Sequence, residues 1–289
     1  IPMERWQKPH DSCWSFKKIT MIAWTPFRRL KYLTSVEFFN LRNSNNIMDS
    51  FRSDVESGDI YVIKNITSET LIDRMLYDIT NKAYPDNSDP RVIEGIKNIK
   101  YTSTAEKFSN KETNSSHYNA VDVSYYFFPW NNDDIRVFES LKDIYECLIQ
   151  INGYKPNQIL NHTPKDRSVL RLHLIHYPPG SGEISLHIDP IKYTTVNAGI
   201  YFSEYGRNYK DGGFYVVDSN KNEVKIDPKI TKGDMALFSP NLAHGVRKIT
   251  SCTKKSTYDP GRYFFHISIV ESHEFKDRQK SMGLNLKDI

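Results

Sequence analysis

From Ser168 to Val270 the apolar residues come in short runs separated by turn-forming residues. The runs are 169–177, 183–188, 194–203, 213–217, 222–226, 234–238, 244–249 and 262–270. Gly180-Ser181-Gly182, Asp211-Gly212-Gly213 and Lys232-Gly233 punctuate them, and runs of this length between such breaks predict strands rather than helices. Eight strands at this spacing suit a jelly roll built of two sheets. The preceding half has another period. Tyr61-Val62-Ile63 reads as a strand, after which Leu71, Ile72, Met75, Leu76 and Ile79 recur at helical spacing, with Thr67 placed as the cap and Glu69 in the first turn. Val121 to Phe128 reads as a strand stopped by Pro129. Asp133-Asp134 then opens a second helix, whose apolar face of Ile135, Phe138, Leu141, Ile144, Tyr145, Leu148 and Ile149 runs to Gly153. The fold class expected is α+β, with a double-stranded β-helix (jelly-roll, cupin-like) core and flanking N-terminal helices on one face of a sheet.

This pattern divides the chain. Residues 1–55, with Trp6, Trp14, Trp24 and a basic-apolar segment from Phe16 to Phe39, are expected to form an extension packed on the core, the other option being a membrane-surface or partner helix. Residues 56–289 are expected to form one domain whose jelly roll spans about 168–272. Between Ala83 and Ser116 the cluster Pro85, Asp86, Asn87, Asp89 and Pro90 predicts irregular structure of the kind that roofs a site.

Composition narrows the function classes. A chain of 289 residues, 38% hydrophobic and 13% aromatic, can bury one large core. Its 39 Lys and Arg against 35 Asp and Glu leave only +4, scattered in both signs, so no nucleic-acid partner is indicated. No apolar run approaches the roughly 20 residues of a membrane span. Cys13, Cys147 and Cys252 are odd in number and unrelated in spacing. That argues against a disulfide framework or a zinc site, and for a reducing, intracellular compartment such as the cytoplasm.

The chemistry concentrates in the strand-rich half. His187 and Asp189 stand two apart at a predicted strand end, so both side chains leave the same face, and His244 can join them through folding. Two imidazoles and one carboxylate on one face of an open metal are the ligand set of non-haem Fe(II) oxygenases. The ordered elements Tyr177-Pro178-Pro179-Gly180, His187-Ile188-Asp189-Pro190, Gly212-Gly213-Phe214, Gly233-Asp234-Met235-Ala236-Leu237-Phe238, His244-Gly245-Val246 and Gly261-Arg262-Tyr263 resemble the Fe(II)/2-oxoglutarate-dependent dioxygenases, and most closely their prolyl-4-hydroxylase-like branch.

That resemblance implies roles. His187, Asp189 and His244 would hold Fe(II), with 2-oxoglutarate and O2 as cosubstrates. Arg262 would grip the distal carboxylate of 2-oxoglutarate, since a planar guanidinium donates two parallel hydrogen bonds. Tyr201 would be its hydroxyl partner and Tyr177 would lie near the metal-chelating end; strand parity counted from Tyr201 adds Asn197 to that face. Two departures from the family stand out. Arg262 follows His244 by 18 residues, a gap lengthened by the polar insertion Ser251 to Pro260, which leaves Arg247 as a rival anchor. Phe264 stands where the family often places a hydroxyl.

Parity extends the site. If Tyr177 faces inward, period two puts Ile175, His173 and Arg171 beside it and turns Leu170, Leu172 and Leu174 outward against the helices. From Arg262 the same count brings in Phe264, His266 and Ser268. Arg171, His173, Ile175, His266 and Ser268 are thus the candidate substrate residues, and their polarity points to a small carboxylate-bearing substrate, amino-acid-like or a specialised metabolite. By the resemblance, the reaction would oxidise an unactivated C–H by hydroxylation, or by desaturation or oxidative cyclisation, releasing succinate and CO2. The carboxylate at Asp189 sets the chain apart from the family's halogenases. The alternatives are a peptidyl or protein hydroxylase, with a groove formed by residues 83–120 and 204–212, and a non-catalytic cupin-like binding module.

Overall fold

The computed structural model describes residues 24–82, 99–102, 118–131, 133–250, 259–287 and 289. Two sheets form the body. The larger contains β1 (Arg29–Thr34), β2 (Asp59–Lys64), β3 (Ile99–Thr102), β5 (Val123–Phe127), β6 (Ser168–Tyr177), β8 (Asn197–Tyr201), β11 (Met235–Phe238) and β13 (Arg262–Glu271), in the order β1-β2-β11-β8-β13-β6-β5-β3. The smaller contains β4 (Ala120–Val121), β7 (Glu183–Ile188), β9 (Gly213–Val217), β10 (Glu223–Lys225), β12 (His244–Arg247) and β14 (Met282–Gly283). Its order is β10-β9-β12-β7-β14, with β4 also paired to β7. All pairings are antiparallel except β1 with β2. From β6 onward the chain passes repeatedly from one sheet to the other, so residues far apart in sequence meet between them.

Alternation along β6 sorts its side chains as expected. Leu170, Leu172 and Leu174 join Phe265, Ile267 and Ile269 of β13 in the core that also buries Phe51, Ile72, Leu76, Ile144 and Leu148 of the helices. Tyr177 and Ile175 join the other cluster, with Phe214, Val246 and Phe264, between the sheets. The helices thus cover the outer face of the larger sheet, and its inner face is left for the site.

Local signals held in kind and moved in detail. The helix at Glu69–Asn81 is capped by Ser68, whose hydroxyl accepts from the Leu71 amide at 3.2 Å, and not by Thr67. The helix begins one residue later than the Thr67 reading required, so Ser68 takes the capping position. Asp133 opens the next helical segment with its carboxylate, which accepts from the Val137 and Phe138 amides at 2.7 Å each. Gly153, at φ +85°, closes it. Helices at Ser35–Asn40, Asn45–Glu56 and Pro156–Leu160 were not anticipated.

The 55/56 boundary falls at the last residue of the helix Asn45–Glu56, just before β2. β1 nevertheless lies beside β2 in a six-residue parallel ladder, so residues 29–56 are continuous with the sheet that follows. Trp24 packs in a small cluster with Leu186, Ile188 and Leu284. Trp6, Trp14, most of the expected roof over 83–116 and most of the 251–260 insertion lie outside the described residues. Among the described residues, no helix is long and apolar enough to cross a membrane.

Candidate active site

Three side chains meet where β7 ends and β12 begins. The register pairs His244 with His187 directly across the two strands, and Asp189 follows β7, held by its amide to the Pro240 carbonyl at 2.8 Å. The His187 Nε2 lies 3.5 Å from Asp189 Oδ1, and the His244 Nε2 lies 3.5 Å from Asp189 Oδ2. One ligand atom from each residue lies within 4.8 Å of the others. Metal–ligand bonds of ~2.1 Å at about right angles would set neighbouring ligand atoms ~3 Å apart, close to this spacing.

The surroundings orient the three ligands. His187 Nδ1 lies 2.7 Å from the Ser185 carbonyl and His244 Nδ1 lies 2.7 Å from the Leu242 carbonyl. A carbonyl only accepts, so Nδ1 carries a proton in both rings and Nε2 is the ring nitrogen turned toward the cup. Asp189 is steadied by Asn197 Nδ2 at 2.9 Å on one oxygen and by the Ser281 hydroxyl at 3.0 Å on the other. Burial alone would raise the Asp189 pKa, but the two imidazoles outweigh it and hold the carboxyl well below its usual range. Burial, with His187 beside it, pulls the His244 pKa down to about 4, so this imidazole is neutral at pH 7. A carboxylate and neutral, pre-oriented imidazoles are the forms a divalent metal binds.

The cup opens into a cavity of about 250 Å³ between the sheets. Its floor is the inner face of β6 and β13, whose register sets four cross-strand rows: Tyr177 with Arg262, Ile175 with Phe264, His173 with His266, and Arg171 with Ser268. All eight residues line the cavity, as does Asn197. The rows span six residue steps, ~20 Å of strand, with a guanidinium at each end. Tyr118, Tyr126, Phe214 and Phe238 add aromatic walls.

At the first end Arg262 is only 1% exposed and already holds a carboxylate. Its Nε donates to Asp227 Oδ2 at 2.7 Å and its Nη2 to Oδ1 at 3.1 Å. The Tyr201 hydroxyl donates to Oδ1 at 2.9 Å, while the Tyr209 hydroxyl at 2.5 Å and the Phe214 amide at 2.9 Å donate to Oδ2. Gly213, at φ +90°, permits that approach, since a Cβ there would fall 2.1 Å from Asp227 Oδ2. Arg262 is also enclosed by the rings of Tyr177, Tyr201 and Phe264, with centroids 5.5, 5.3 and 4.9 Å from its Cζ. Burial would lower the Arg262 pKa, but Asp227 raises it well above the ordinary value. Arg262 and Tyr201, expected to meet a ligand carboxylate, both bind Asp227, and Tyr201 is not among the cavity-lining residues. One guanidinium edge faces Asp227, which leaves the Nη1 side uncommitted.

At the second end several buried polar atoms have no partner among the described residues. Arg171 Nε is buried with no hydrogen-bond partner, and its Nη2 reaches only the Ser268 hydroxyl at 3.4 Å. Both ring nitrogens of His173 and the Nε2 of His266 are likewise buried without partners. His173 stacks on Tyr126 at 4.2 Å, and the Arg171 guanidinium lies over the same ring at 5.6 Å. Burial, reinforced by the Arg171 charge, drives the His173 pKa well down and the His266 pKa to about 3.

Arg247 is removed as a rival anchor. Strand alternation turns it away from the cavity that Val246 lines, and it forms an exposed ion pair with Glu223. Asp227, Tyr209 and Ser281 were missed in the sequence. The only local sign of Asp227 was an acid set between Ile226 and Pro228.

The chain matches no protein-family model and no curated protein. Among solved structures it is similar to a Pseudomonas putida prolyl-4-hydroxylase, at 14% identity and TM-score 0.48, over 76% of this chain and 97% of that one. It is also similar to a full-length Neurospora crassa protein in complex with alpha-KG, at 13% identity and TM-score 0.43, over 85% and 86% of the two chains. A third is a 2OG-Fe(II) oxygenase family protein from Caulobacter crescentus, at 11% identity and TM-score 0.40, over 84% and 87%.

Proposed function

We propose that this chain is an Fe(II)/2-oxoglutarate-dependent oxygenase on a double-stranded β-helix, acting on a small polar substrate. The single observation that carries the reading is the His187, Asp189 and His244 cup, with both Nδ1 atoms tied to backbone carbonyls so that both Nε2 atoms face one carboxylate. Three protein ligands on one face would leave the other positions of a metal held there open to a cosubstrate. When bound there, Fe(II) with 2-oxoglutarate and O2 supplies the oxidant for an unactivated C–H, and 2-oxoglutarate leaves as succinate and CO2.

The protein's own residues have separate tasks. Asn197 and Ser281 hold the Asp189 carboxylate in place for the metal. Phe214 and Phe238 stand against the His244 ring, with centroids 5.7 and 5.2 Å away, and keep that side dry. Tyr177 and the outer edge of Arg262 border the cavity on the side where the oxoacid would lie. The Asp227 pair means that Arg262 offers hydrogen bonds there rather than an unbalanced positive charge. Arg171, His173 and His266 make the other end suited to a carboxylate-bearing substrate.

The test is succinate formation by the purified protein with Fe(II), 2-oxoglutarate and pooled amino-acid-like substrates. Succinate above that of a His187→Ala control is expected. Equal succinate in the two would sink the oxygenase reading.

A further inference from the structure

Two guanidiniums close the ends of one cavity floor, and they differ in what balances them. Arg262 has Asp227. Arg171 forms no ion pair among the described residues, and the nearby Lys192 is paired with Glu271 at 2.7 Å. The imidazoles beside Arg171 offer no counter-charge, since an imidazole is neutral or positive but never negative. A desolvated cation without an anion destabilises a fold, and persists where something outside the chain supplies the anion. The neighbourhood is otherwise ready for one: a serine hydroxyl on Nη2, an uncommitted Nε, and the Tyr126 ring supporting the guanidinium plane.

We propose that Arg171 and Ser268 form a carboxylate-binding subsite of this cavity. Ser268 falls in the cross-strand row of Asn197, because β13 and β8 pair Ile267 with Ala198, and Asn197 donates to Asp189. Arg171 is next in that row, two strand spacings or ~10 Å from Asn197 across the backbone. A carboxylate held at Arg171 therefore places the rest of a short molecule beside the metal cup. In naming what the cavity takes, the subsite rests on the oxygenase reading; its recognition of an anion does not. The carboxylate can come from the substrate or from the far end of the oxoacid, and the two sources are separable.

The full chain, loaded with Mn(II) without oxygen, is titrated calorimetrically with 2-oxoglutarate and with 2-oxopentanoate, which has the same length but ends in a methyl group. Thermal unfolding in acetate against chloride, with and without saturating 2-oxoglutarate, forms the second arm. Arg171→Met is expected to melt above the wild type without ligand. It is also expected to lose about tenfold or more in carboxylate affinity. Loss of the preference for 2-oxoglutarate over 2-oxopentanoate assigns the subsite to the oxoacid. A retained preference, with acetate stabilisation lost at saturating 2-oxoglutarate, assigns it to the substrate.

Unchanged oxoacid affinities together with unchanged acetate stabilisation overturn the proposal. If Arg171→Met does not fold, Ser268→Ala replaces it, with a few-fold loss expected on the same arm and no loss overturning the proposal. Repeating the acetate arm on metal-free His187→Ala protein separates the two readings. Acetate stabilisation surviving there supports the subsite whatever the fate of the metal site, and its absence in both metal-free and metal-loaded protein overturns it.

Discussion

Along the same two strands, Arg262 and Arg171 occupy equivalent inward positions at opposite ends, yet their surroundings differ completely. Asp227 receives five donors, from Arg262 twice, Tyr201, Tyr209 and the Phe214 amide, and the network closes on itself. Arg171 meets one distant hydroxyl and a tyrosine ring, beside imidazole nitrogens that have no partner. A fully satisfied buried network fixes one conformation, whereas a partly satisfied one leaves its unmatched groups to a ligand. The first end is thus closed by its own residues, whereas the second keeps the unpaired groups that the proposed subsite would use, although both line the cavity.

The contrast is broken most severely at Asp227. Asp227→Ala strips a buried guanidinium of its anion and should cost about 3–5 kcal/mol of stability, measured by chemical denaturation. A loss below about 1 kcal/mol would mean that Arg262 is balanced elsewhere and that the two ends are alike.

Two buried imidazoles, His266 toward the open end and His244 in the cup, should dominate the acid limb of stability in metal-free protein. The His266 pKa lies at about 3 and that of His244 at about 4 in the folded chain, below the unfolded value of ~6.5. Between those values the unfolded chain binds more protons. Stability is thus retained above pH ~6.5 and falls as pH drops from there toward 4, by up to ~1.4 kcal/mol per pH unit for each group. Thermal melts across this range that stay flat would show that these imidazoles are paired after all.

Replacing the whole closed pair should matter less than breaking it. The double variant Asp227→Leu/Arg262→Met is expected to recover part of the Asp227→Ala loss, about 1–2 kcal/mol in the same denaturation experiment, since the Tyr201 and Tyr209 hydroxyls and the Phe214 amide still lose their acceptor. A double variant no better than Asp227→Ala would show that the tyrosines, not the ion pair, hold this end together. The smallest effect lies between the ends: Asn197→Ala removes one hydrogen bond from Asp189 and should weaken metal affinity about tenfold with little change in melting. Metal titration by calorimetry reads it, and an unchanged affinity would make Ser281 the sole support of that carboxylate.

The strands, the inward parity of β6 and the metal set were legible because each depends on local period or short spacing. Alternation alone places Arg171, His173, Ile175 and Tyr177 on one face, and the structure puts all four in the cavity wall. The Thr67 cap missed by one position, because adjacent hydroxyl residues satisfy the same pattern and only the helix start separates them. That Arg262 is held by Asp227 was not legible for a different reason. Its partner lies 35 residues away, on a short 3-10 turn that no periodicity announces.

Sequence by itself determined which side chains face inward, where the chain turns, and that His187 and Asp189 leave one strand end together, since these follow from backbone geometry within a few residues. Only the tertiary structure decided which of two inward cations is neutralised. Charge balance in a cavity depends on what the fold brings across it. Here the fold brings Asp227, Tyr201 and Tyr209 to Arg262, and no carboxylate among the described residues into an ion pair with Arg171.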